Sequence, residues 1–159
     1  MSQKMKVMYS SSTNEWSTPV EFYNKLNKIY NFTLDPCSTN NNHKCEKYFT
    51  QDDNGLVQDW GGERVFMNPP YGREIKNWIR KAHEESLKDN TVVVCLVPSR
   101  TDTRYWHDHC MKAAEIHFIK GRLKFGDSEN AAPFPSAVIV FDSQIFDAAS
   151  PRIHTMKIR

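Results

Sequence analysis

The sequence predicts a single α/β domain built on a mainly parallel sheet. Three observations carry that expectation. Strand-like runs alternate with helix-like periods along most of the chain. One run, Thr91 to Val97, is continuously apolar, as a strand covered on both faces should be. The residues best suited to chemistry fall just after strand-like runs, at the edge where open α/β sheets bind ligands.

Taken in order, residues 1–12 read as a loose arm, 13–146 as the domain and 147–159 as a polar, basic, mobile tail. Thr18-Pro19-Val20-Glu21 predicts a helix start, with Thr18 as N-cap, Pro19 at the first position and Glu21 completing a capping box. Phe22, Tyr23, Leu26, Ile29 and Tyr30 give that helix an apolar face, and Asn31 stops it. Phe32 to Leu34 predicts a short strand ending at Asp35-Pro36-Cys37. Tyr48 to Thr50 predicts a second, and Gln51 to Trp60 an irregular loop. Val65 to Met67 is a strand, and Ile75, Trp78, Ile79 and Ala82 place a helix over about 74–88. Asp102 can cap a helix carrying Tyr105, Trp106, Cys110 and Ala113. Ile116 opens a strand expected to continue through Phe125, and Ala137 to Phe141 is the last strand. The loop 126–136 joins this pair as a hairpin.

The chain has 159 residues, enough for one domain with a core, and its net charge is +2. No broad basic field advertises a tight stand-alone nucleic-acid binder, but brief visits to DNA remain compatible with that charge. There is no apolar run near about 18 residues and no secretory pattern at the N-terminus, so the expected location is cytoplasmic with no membrane span. Cys37, His43 and Cys45 lack a fourth ligand at zinc-like spacing, so no metal is expected. Cys95 reads as a small buried hydrophobe.

Asn68-Pro69-Pro70-Tyr71 follows the strand Arg64 to Met67 and is the most informative feature of the chain. Such a turn suits methylation of a planar amine or amide nitrogen, whose lone pair is delocalised and weakly nucleophilic. The site must hold both hydrogens of the NH2 group and aim its nitrogen at a methyl donor. Asn68 offers a side-chain carbonyl as one acceptor. The prolines force an extended backbone and bring no competing N–H, so the Pro69 carbonyl can be the second. Tyr71 supplies a flat face for the target and a π surface near the donor's sulfonium. The alternative is a plain structural turn.

Several blocks in order extend this reading. They are Glu15-Trp16-Ser17-Thr18-Pro19, Leu34-Asp35-Pro36-Cys37, Asp53-Asn54-Gly55-Leu56 with Asp59-Trp60, Asn68 to Gly72, Arg100-Thr101-Asp102-Thr103, Gly121 to Phe125, and Pro133 to Ser136. With them the chain resembles the phage-encoded, Dam-type DNA N6-adenine methyltransferases over roughly residues 14–141. The resemblance implies a class I methyltransferase (Rossmann-like) fold, with one antiparallel strand in an otherwise parallel sheet. It also implies S-adenosylmethionine as methyl donor and DNA, duplex or single-stranded, as substrate, in a bacterial host's cytoplasm. Residues 35–39 contain no glycine, so the usual Gly-rich cofactor loop is replaced by one of another shape. The short stretch before Asn68 implies a strand–helix unit reduced or missing in the first half.

Under this resemblance Asn68, Pro69, Pro70 and Tyr71 are catalytic. Asp35, with Pro36 and Cys37, would receive the cofactor's methionine ammonium, against an ordinary Asp-Pro turn. Thr18 and Pro19 lie beside the cofactor or merely cap a helix, and Trp16 packs on the cofactor or in the core. Asp53 or Asp59 binds ribose hydroxyls or the adenine amino group, or is simply solvated. Phe134 stacks against or replaces a displaced base, or anchors its loop. Lys120, Arg122 and Lys124 alternate along the expected strand and either meet phosphates or protect an edge. Arg100 and Arg104 are phosphate or substrate contacts. The same tetrapeptide would serve RNA bases or protein glutamine, and a non-catalytic nucleic-acid binder is a further alternative.

Overall fold

The structure, a computed structural model, describes residues 16–159; the expected arm at 1–12 lies outside the described residues. Seven strands form one sheet in the order β2-β1-β3-β4-β6-β5-β7. They are β1 (Leu34–Asp35), β2 (Lys47–Tyr48), β3 (Arg64–Met67), β4 (Val92–Pro98), β5 (Glu115–Ile119), β6 (Ser136–Phe141) and β7 (Arg152–Met156). Only β6 is antiparallel, pairing with β4 on one side and β5 on the other. This is the mixed, mostly parallel sheet that the sequence predicts, and its first half is reduced as expected. There β1 and β2 have two residues each, and no helix is described between them.

Helix α1 (Val20–Tyr30) buries Phe22, Tyr23 and Leu26 and ends at Asn31, which takes the left-handed conformation at φ 52°. The expected cap is corrected. Pro19 holds the N-cap position and Thr18 caps nothing, its hydroxyl being engaged elsewhere. Ile29, expected on the apolar face, is exposed. Helix α2 (Ile75–Glu85) buries Ile75, Trp78, Ile79 and Ala82, one stripe at the expected spacing. Helix α3 (Arg104–Asp108) is capped by Thr103, one residue later than the expected Asp102. The continuously apolar run is β4, buried from Val93 through Pro98.

Two expectations fail at the other side of the sheet. The strand opened by Ile116 ends at Ile119 because Gly121, at φ +89°, turns the chain. Lys120, Arg122 and Lys124 therefore form no strand face. The basic tail is not loose either: β7 lies parallel beside β5, pairing Glu115 with Arg152 through Ile119 with Met156. Its residues are almost all exposed, as an edge strand allows, so no apolar alternation marks it in the sequence.

β5 runs parallel to β4 and β6 returns antiparallel. The connection 120–135 thus crosses the same carboxyl edge as Asp35, Asn68 and Pro98.

Candidate active site

Asn68 leaves β3 at that edge with both hydrogens of its side-chain amide donated and its oxygen accepting one bond. Its Nδ2 donates to Thr18 Oγ1 at 2.8 Å and to the Trp16 carbonyl. Its Oδ1 accepts from the Tyr71 hydroxyl at 2.9 Å, and that hydroxyl also reaches the Leu96 carbonyl of β4 at 3.2 Å. No hydrogen bond from any described residue reaches the Pro69 carbonyl.

Tyr71 does not present its face, contrary to expectation. It is 5% exposed, its hydroxyl has found two acceptors and its ring meets Phe134 and Phe125 edge-on at 5.6 and 6.4 Å. Trp16 closes the cluster, edge-on to the same two phenylalanines at 5.2 and 5.6 Å. Trp16 and Phe134 thus pack within one aromatic cluster at this edge, and Phe134 ties the 126–136 loop to it. Burial holds the Tyr71 phenol far above its ordinary value, so it stays a neutral donor.

The β1 side abuts this cluster. Cys37 Sγ donates to the Asn68 carbonyl at 3.3 Å. Burial pushes that thiol well above its usual range, which keeps it protonated. Asp35 is 5% exposed; one of its oxygens accepts the Lys44 N–H at 2.8 Å. Burial raises its pKa above the ordinary 3.8, while the Lys44 and Cys37 N–H groups and the charges of Lys44 and His43 pull the other way. A buried carboxylate with lone pairs to spare fits a cationic ammonium. Gly55 is a residue whose role the sequence conceals. A Cβ there would lie 2.2 Å from the Pro36 carbonyl oxygen, so only glycine lets these two loops touch.

The two acidic candidates separate. Asp53 is exposed and caps its own turn through Thr50, at 2.8 Å to the backbone N–H. Asp59 is removed from the site. It pairs with Lys88 and the Gly61 N–H, both at 2.8 Å, in the segments that lead into β4 and β3 at the sheet's amino edge. Those bonds hold its carboxyl below the usual range.

Arg100 and Arg104 are exposed after β4, beside an open cleft of about 440 Å³ lined by Gly72, Arg73, Ile75, Lys76 and Tyr105. Arg73 and Lys76 carry no motif in the sequence, yet they lie shortly after the tetrapeptide, beyond Gly72. Among the described residues, none of these four cations joins an ion pair. Arg122 spends one guanidinium N–H on the Ala132 carbonyl at 3.2 Å and so braces the loop, while Lys124 is exposed.

Comparison with known proteins decides which family the chain belongs to. The family model described as DNA N-6-adenine-methyltransferase (Dam) matches residues 6–149. The chain belongs to that family. It is 29% identical over 123 residues to the DNA N-6-adenine-methyltransferase of Haemophilus phage HP1, covering 75% of this chain and 70% of that protein. It is 34% identical over 110 residues to the Escherichia phage T1 protein of the same name, covering 68% of this chain but 45% of the relative. The family match spans every element from α1 to β6 and stops short of β7.

Proposed function

We propose that this Dam-family chain transfers a methyl group from S-adenosylmethionine to N6 of adenine in DNA, using Asn68 and the Pro69 carbonyl to hold the amine. The observation that supports it best is the position of Asn68. It leaves the end of β3 with a hydrogen-bonded amide, beside the buried Asp35 and under an aromatic cluster. S-adenosylmethionine, when bound, supplies the methyl group. Asp35 would receive its ammonium, and the Pro36–Gly55 contact holds the loop that carries Asp35.

The adenine is flipped out of a duplex or taken from a single strand; extrusion costs a few kcal/mol. For its amine to reach Asn68 Oδ1, the Tyr71 hydroxyl leaves that oxygen, and the ring turns out to stack on the base. The two acceptors draw on the N–H bonds and aim the lone pair. With S-adenosylmethionine held through Asp35, its methyl group would pass to the nitrogen aimed by Asn68 Oδ1 and the Pro69 carbonyl, its sulfur would keep the electron pair, and the surplus proton would leave to solvent. Positioning and electrostatics do the work, with no covalent enzyme adduct. Arg73, Lys76, Arg100 and Arg104 meet flanking phosphates.

Nucleosides from duplex DNA incubated with protein and S-adenosylmethionine are the test, analysed by mass spectrometry. N6-methyladenine is expected from the native chain. Asn68→Ala should lose at least about 100-fold in turnover while binding the cofactor normally. Native-like yield from Asn68→Ala would overturn the catalytic assignment. A chain that binds cofactor but leaves DNA unmodified moves the reading to RNA bases or protein amides.

A further inference from the structure

On the far side of the sheet, we propose that Glu115, His117 and His154 form a binding site for a divalent transition ion, Zn2+ foremost, that clips β7 to β5. The ladder itself builds the site. Glu115 and His117 are two apart on β5 and so share one face, and the β5–β7 register puts His154 directly across from His117. One ligand atom from each of the three lies within 4.8 Å of the others. His117 Nε2 is 2.8 Å from Glu115 Oε1, and the two imidazoles lie 4.6 Å apart at 20°.

The chemistry of the set selects the ion. Two imidazoles and one carboxylate suit Zn2+ and its borderline neighbours rather than Mg2+ or Ca2+, which prefer all-oxygen shells. Three protein ligands leave the fourth tetrahedral position to water. Glu115 and His117 are half-buried, while His154 is exposed and its side chain makes no hydrogen bond with any described residue. His154 can therefore swing from the stacked position until both rings point at one ion. His117 then exchanges its Glu115 contact for the metal.

The site depends on β7, which lies beyond residue 149, where the family match ends. An edge strand with few buried side chains is the element that gains most from such a clip.

The test uses the full chain stripped with a chelator, titrated with Zn2+ by calorimetry and with Co2+ by visible absorption. Expected are one ion per chain, a ligand-field band of a nitrogen–oxygen site and a rise in thermal midpoint with Zn2+. His154→Ala and Glu115→Gln should each weaken binding by more than about tenfold and remove the thermal shift. His83→Ala is the control, because His83 and His109 form the other close pair, Nδ1 to Nδ1 at 2.9 Å. Undiminished binding in His154→Ala, loss only in His83→Ala, or no binding in excess Zn2+ would each overturn the site. Since His154 is exposed, its variant folds and reports even where one at His117 fails.

Discussion

The two halves of the sheet are held by different means. In the second half β4 is buried along nearly its whole length and pairs with β6 from Val93 through Pro98. In the first half β1 meets β3 through a single pair, Leu34 with Val65, and two long irregular segments fill the rest. Side-chain bonds to backbone hold that region: Trp60 Nε1 to the Gly55 carbonyl at 3.0 Å, Asp35 to Lys44, Asp53 to Thr50. The first kind of region is stabilised by buried apolar area and determines the fold. The second is a set of loops fixed by side-chain hydrogen bonds, leaning on the first.

That contrast makes separable predictions. Leu96→Ala should cost about 2–5 kcal/mol of global stability, read in chemical denaturation. Activity per folded molecule should be kept, since the Leu96 carbonyl that receives Tyr71 is untouched. Gly55→Ala should cost about 1–3 kcal/mol, because the new methyl collides with the Pro36 oxygen. Its larger symptom should be weaker cofactor binding; equal binding with only a stability loss would erase the distinction between the halves.

Asp35 sharpens it further. Its carboxyl is raised by burial, so the ionised form disfavours the fold: stability should increase as pH falls through the raised value toward the unfolded one. Affinity for a cationic cofactor should move the opposite way and weaken on acidification. Calorimetric titration across that range checks the sign, and Asp35→Asn should bind weakly at every pH. The smallest effect is expected at the cleft. Lys76→Ala should weaken DNA binding uniformly across sequences and flatten the log–log salt slope by about 0.9.

The same division explains what could be read from residues alone. Val93 to Val97 is unambiguous because burial on both faces leaves no polar position, and the stripe of α2 is equally plain. Asn68 and Tyr71 were visible as a motif, but not their partners. Thr18 looks like a cap in sequence and is a hydrogen-bond acceptor in space. Asp59 looks like its acidic neighbours, yet its chain segment has already descended to the amino edge. The alternation of Lys120, Arg122 and Lys124 resembles a strand, and only the backbone angle of Gly121 undoes it. β7 carries no signal at all, since an edge strand in water has no reason to alternate.

The hydrogen-bonded amide of Asn68 has one more consequence, for the choice among bases. In the proposed mechanism the entering base displaces only the Tyr71 hydroxyl from Oδ1, while the bonds to Thr18 and the Trp16 carbonyl hold the amide in place. A base bearing an exocyclic amine restores the bond that Tyr71 gives up. One without it leaves a sheltered oxygen unsatisfied, at about 1–3 kcal/mol. On that mechanism the Tyr71 contact competes with any entering base, and thymine, which has no exocyclic amine, should be held more weakly than adenine.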